Sequence, residues 1–243
     1  MLTYLIRVWS TTLSNGLCAA VHIRRMSGKL CVAVAIVLVT FQQAAADEYE
    51  CGTLDNGLIG PWDYHDPRNH IPNGEAPKGR AKLVENAHFT PIIEALKPRD
   101  KYLLAQDIVY TLRAFPNHPR ALLSLAKLEE HFHGKLPGHS ASPRITTDCF
   151  FERAFTFRPE DGRVWAIYAL VLHRKKRYEE ALTAYENAES YGQKSAQMDY
   201  NIGLLLIDMG KLDDALERAR RAYAGGFALP GLKRRLEAAG RTL

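Results

Sequence analysis

The chain has 243 residues, 47% hydrophobic and 24% charged, which excludes a disordered protein and leaves room for one domain or a repeat array. Its formal charge of +5 suggests an acidic partner until the charges are placed along the chain. Residues 1–46 hold Arg7, Arg24, Arg25 and Lys29 and no acid, so the remainder carries 5 − 4 = +1 and the nucleic-acid class loses its main support.

In chain order, residues 1–46 read as a removable leader. Met26 begins a cationic start with Lys29, an apolar run Leu30–Phe41 follows, and Ala44, Ala45 and Ala46 form a small-residue end before Asp47. The run has twelve residues against the ~20 a spanning helix needs, so no stable membrane span is expected after leader removal. Residues 1–25 can be an upstream extension. The expected location is periplasmic or secreted, where the two remaining cysteines, Cys51 and Cys149, fit one disulfide; two separate thiols are the alternative.

Residues 47–82 are rich in Gly, Pro, Asn and Asp and cannot form a long helix. Trp62 and Tyr64 are costly to leave in water, so this irregular arm is expected to lie on the helices C-terminal to it. Apolar spacing then predicts helices over Leu83–Leu96, Tyr102–Ala114, Pro119–Phe132, Thr146–Phe157, Arg163–Arg174, Tyr178–Ser190, Gln197–Met209 and Leu212–Ala224. The Gly/Pro/Ser-rich "HGKLPGHSASP" reads as a loop after Phe132, and a capping helix starts near Pro230. The fold class is all-α.

Self-similarity organises these helices. Lys176–Leu182 aligns with Gly210–Leu216 at an offset of 34 residues, and at that offset Ala169 meets Gly203, Leu170 meets Leu204 and Ala188 meets Ala222. The small residues remove bulk where paired helices cross, while Trp165, Tyr168, Tyr178 and Tyr185 fill the space between units. Trp165, Tyr168, Ala169, Leu172, Ala181 and Tyr185 follow the pattern W-x2-L-G-x2-Y then A-x3-F, so residues 83–240 resemble the tetratricopeptide-repeat (TPR) family. "HFTP", "YTLRAFPNHPRAL" and "CFFERA" are further similar to exported bacterial proteins of that class. The resemblance implies a helical-hairpin solenoid of about three to four units plus a capping helix. The second clear unit departs from the pattern, with Asp199 at the tryptophan place and Ala219 at the aromatic place, and looser packing is expected there.

The same resemblance implies a protein or peptide partner in a concave groove lined by first helices. By position that face holds Arg120, Leu123, Lys127, Glu130, Arg163, Ala166, Leu170, His173, Arg174, Gln197, Tyr200, Leu204 and Asp208, with Arg174 and Tyr200 as neighbours. Its aliphatic, aromatic and basic mixture suits a peptide or helix with some acidic character. The Lys and Asn of a chaperone-tail clamp are absent from the matching places.

Catalytic signals are weak. There is no phosphate loop, no G-x-S-x-G elbow and no H-E-x-x-H pair, and neither His131, His133 and His139 nor Asp63, His65, Asp66 and His70 has metal-ligand spacing. No enzyme and no cofactor are expected. The rival reading is an envelope enzyme or small-ligand binder with a site between the arm and the repeats, using Trp62, Asp63, Tyr64 or His65.

Overall fold

The computed structural model describes residues 53–55, 59–74, 76–97, 100–134, 136–137 and 146–243, all within one compact unit, Ala44–Leu243. The leader, Cys51 and His139 lie outside the described residues. Among the described residues there are ten α-helices and no strand: α1 Arg80–His88, α2 Pro91–Glu94, α3 Lys101–Ala114, α4 Pro119–His131, α5 Thr147–Phe157, α6 Gly162–Arg174, α7 Tyr178–Ser190, α8 Ala196–Asp208, α9 Leu212–Ala224 and α10 Gly231–Ala238. None of them is long and apolar enough to cross a membrane.

The period expected from sequence appears in the helix bounds. Gly162 and Ala196, Arg174 and Asp208, Tyr178 and Leu212, and Ser190 and Ala224 are each 34 residues apart. Side-chain caps start the first helices: Asp161 accepts from the amides of Arg163 and Val164, and Ser195 from that of Met198. The turn inside each pair closes by a left-handed residue, Lys176 (φ 60°) in one and Gly210 (φ 75°) in the other. There the Arg177 amide donates to the Leu172 carbonyl at 2.9 Å and the Lys211 amide to that of Leu206 at 2.8 Å, satisfying helix-end carbonyls.

Helix α6 packs along α7, and α8 along α9, through fully buried Ala169, Ala181, Ala188, Ala215 and Ala222. The first helices also meet one another in succession, α4 with α6 and α6 with α8, and α8 meets the terminal α10 in the same way, whereas α5, α7 and α9 meet chiefly the helices on either side of them in the chain. Trp165 stacks on Phe155 at 4.0 Å and Tyr168 lies 4.8 Å from Phe151, tying α6 to the preceding α5. One period later Asp199 replaces the ring, and α7, α8 and α9 are joined instead by Arg218, which bonds Glu189 and, at 2.9 Å, Asp199. Charge thus does in the second pair what ring stacking does in the first. Helix α10 buries Leu232 and Leu236 and turns Lys233, Arg234 and Glu237 outward.

One expected helix is two. Leu83–Leu96 breaks at Phe89 and Thr90, because Pro91 has no amide to donate and drives Thr90 to ψ 161° before opening α2. The chain then folds back so that both α1 and α2 pack on α3.

Candidate functional site

The first-helix face is the surface on which the expected groove residues can be placed. Leu123, Ala166, Leu170 and Leu204 are half-buried there. Most of the surrounding charges are already paired across neighbouring first helices. Arg174 of α6 donates to Glu130 of α4 at 3.0 Å, His173 meets Asp208 of α8 at 2.7 Å, and Asp208 also accepts from Arg235 of α10 at 2.6 Å. Arg120 is held by Glu85 at 2.6 Å and Glu94 at 3.0 Å. Lys127, Arg163 and Gln197 remain exposed without a side-chain partner among the described residues.

Tyr200 is a correction to the sequence reading. Its side chain is 7% exposed and packs on Phe227 at 4.7 Å, inside the core of the last pair. Helix α10 covers it; a Cβ on Gly231 would lie 2.6 Å from the Tyr200 hydroxyl, so glycine lets the helix approach without displacing the ring. Tyr200 and Arg174 are not neighbours either. Tyr200 matches Ala166 by the 34-residue period and Arg174 matches Asp208, two helical turns or about 12 Å further along.

Between α4 and α6 the face deepens into a mostly apolar cleft of about 300 Å³ floored by Leu123, Ala126 and Val171. Lys127, Glu130, Arg174 and Lys175 form its rim, and His133 stands just past the end of α4. Glu129, buried at 5% exposure, accepts from the Thr147 amide at 3.0 Å and meets Lys175 at 3.3 Å. Its charge is therefore satisfied before any ligand arrives.

A second polar assembly fastens the arm. Trp62 packs tilted against Phe115 with centroids 5.5 Å apart, its amide donates to the Ala114 carbonyl at 2.8 Å, and Tyr64 lies tilted over the fully buried ring of His118 at 3.9 Å. Asn117, also fully buried, accepts from the Tyr64 amide at 2.9 Å and donates to both Asp63 and Asp161 at 2.8 Å. Those partners fix its amide orientation, since only the NH2 end can face two carboxylates.

Glu85 gathers Tyr64 OH at 2.9 Å, His118 at 3.3 Å and Arg120. The hydrogen bond from His118, with those of Tyr64 and the charge of Arg120, brings the Glu85 carboxyl down to about 2. Burial lowers His118, whose Nδ1 accepts from the Ala121 amide at 3.2 Å, so the neutral ring carries its proton on Nε2 toward Glu85. Burial also lowers His65 and, with Glu85, raises Tyr64.

The arm also forms one side of a polar cleft of about 290 Å³ with Asp63, His65, Arg158, Asp161, Arg163 and Gln193 among its walls. Its acids are engaged: Asp63 meets Arg158 at 3.2 Å, and Asp161 caps α6 and holds Asn117. Asp66 caps the short helical turn Pro67–Asn69, and His70 bonds the Tyr64 carbonyl at 2.5 Å. His131 ends α4, and His133 follows it in a left-handed conformation at φ 55°. Among the described residues no group of three or more His, Cys, Asp or Glu side chains converges as a metal site. Asn117, His118 and Glu85 carry no binding signal in the sequence, although Asn-His before a proline is a helix-start signal.

Cys149 is 1% exposed on α5. One turn along, Arg153 donates to the Thr53 carbonyl, which brings the chain two residues beyond Cys51 against the same helix. No protein-family model, curated protein or solved structure matches the chain.

Proposed function

We propose that the chain is a TPR-type, non-catalytic protein–protein interaction scaffold of the bacterial cell envelope, with residues 1–46 as its leader. Its first helices form a concave groove that holds a peptide or helix of a partner protein. The observation that carries this reading is the side-by-side contact of α4, α6, α8 and α10, with Leu123, Ala166, Leu170 and Leu204 half-buried along it. Adjacent first helices offer a continuous apolar stripe with polar edges, the arrangement an amphipathic segment needs. Pairing of Glu130, His173, Arg174 and Asp208 within the face supports a rigid groove. The available polar groups are then Lys127, Arg163 and Gln197, which favour carboxylates on the partner. The Cys51–Cys149 bridge belongs to the same proposal, as the fastening of the arm to α5.

Leu170→Glu combined with Leu204→Glu should reduce partner capture from envelope extracts at least about tenfold while far-ultraviolet circular dichroism stays unchanged. Undiminished capture by a folded double variant would contradict the groove. The polar cleft bounded by Asp63, His65 and Arg163 favours a second reading, a small-ligand binder between arm and repeats. Its acids and Arg158 are committed to fastening the arm, which is why it ranks second.

A further inference from the structure

The cleft between α4 and α6 differs from the rest of the first-helix face because it is a recess rather than a stripe. At about 300 Å³ it lies at the lower limit of ligand pockets, with room for a single apolar side chain. Its floor of Leu123, Ala126 and Val171 offers no hydrogen-bonding side chain, so the inserted group has to be apolar. The rim supplies the polarity. Glu130 is engaged by Arg174, and Lys175 serves both Glu129 at 3.3 Å and Asp148 at 2.9 Å, whereas the Lys127 ammonium has no partner among the described residues. The uncompensated charge beside the recess is positive.

We infer that this cleft is the anchor pocket of the face. It takes one leucine-sized side chain from an acidic peptide segment of the partner, with a flanking carboxylate on Lys127. The inference rests on the first-helix reading and adds to it a place, a side chain and a charge. Burial of the anchor supplies affinity, and the ion pair at the exposed rim supplies choice between acidic and basic segments.

The test uses the mature protein with labelled Ala, Leu and Val methyl groups and three blocked peptides: Asp-Glu-Leu-Asp-Glu, Asp-Glu-Ala-Asp-Glu and Lys-Arg-Leu-Arg-Lys. The first should shift the Leu123, Ala126 and Val171 methyl resonances in a saturable way. The alanine peptide should bind about tenfold more weakly. Lys127→Glu, an exposed substitution that leaves the fold intact, should exchange the preference toward the basic peptide. Equal binding of the leucine and alanine peptides, or an unchanged preference in Lys127→Glu, would overturn the anchor. Shifts only at Leu170 and Leu204 would also overturn it while leaving the first-helix face standing. Shifts confined to Leu182 and Leu216 on the second helices would overturn the face and the anchor together.

Discussion

Replacing Asn117 by Asp changes one NH2 group to an oxygen without changing shape, and the structure makes the consequence large. The wild-type amide donates at 2.8 Å to both Asp63 and Asp161 from a fully buried position. A hydrogen bond to a charged group contributes roughly 1.5–3 kcal/mol, so losing two removes about 3–6 kcal/mol. Asp63 retains the His65 amide and Arg158, and Asp161 retains the α6 amides, which moderates the loss. Repulsion among three carboxylates acts in the opposite direction. A net destabilisation of about 3–5 kcal/mol at neutral pH is expected.

The sign of its pH dependence comes from linkage. The introduced carboxyl has a folded pKa above its unfolded value of about 3.9, so its charge penalty is complete above the folded value, starts to fall as pH drops through it and is gone only below the unfolded value. Urea unfolding of wild type and Asn117→Asp between about pH 7.5 and pH 4.5 should give a stability difference that narrows on acidification. A difference below about 1 kcal/mol at neutral pH, or one independent of pH, would refute the role given to Asn117.

Four further outcomes are expected. Because burial lowers His118 and His65 in the folded state, the unfolded chain binds more protons below about 6.5; wild-type stability should fall as pH drops through that region, and His118→Asn, which keeps a capping side chain, should flatten the slope of urea midpoint against pH. The buried Tyr185 hydroxyl has no hydrogen-bond partner among the described residues, so Tyr185→Phe should raise stability by about 1 kcal/mol in thermal or urea unfolding. Lys176→Gly should stabilise the turn by ~0.5–1 kcal/mol, since Gly210 occupies the same left-handed place one period later without steric cost. Non-reducing peptide mapping should recover Cys51 joined to Cys149, closing about 98 residues and stabilising by ~4–5 kcal/mol on a chain-entropy basis; recovery of both as free thiols would contradict the bridge.

The repeating helices are legible in the sequence because their signal is local. Alanine and glycine at fixed places mark helix crossings, and the offset between Ala169 and Gly203 is the offset between α6 and α8. The break before Pro91 has an equally local sign, proline opening a helix, but the apolar spacing through Ile92 and Ile93 favours continuity. Tyr200 is misplaced by repeat position alone because its burial depends on α10, which reaches it only through the tertiary fold. The arm network is hidden for the same reason: Tyr64 and Asn117 are 53 residues apart, and Arg120 and Glu85 are 35 apart. Pairing of the first-helix charges cannot be read from one unit, since Glu130, Arg174, His173 and Asp208 find partners on neighbouring helices.

The central claim is that partners are held on the first helices, and photo-crosslinking from single positions in living cells tests it most directly. A photoreactive side chain at Ala166, Leu170 or Leu204 should yield partner adducts whose crosslinked peptide is apolar and acidic. The same group at Thr183 or Glu217, exposed on α7 and α9, should yield none. Equal adducts from both sets, or adducts from Thr183 and Glu217 alone, would contradict the account.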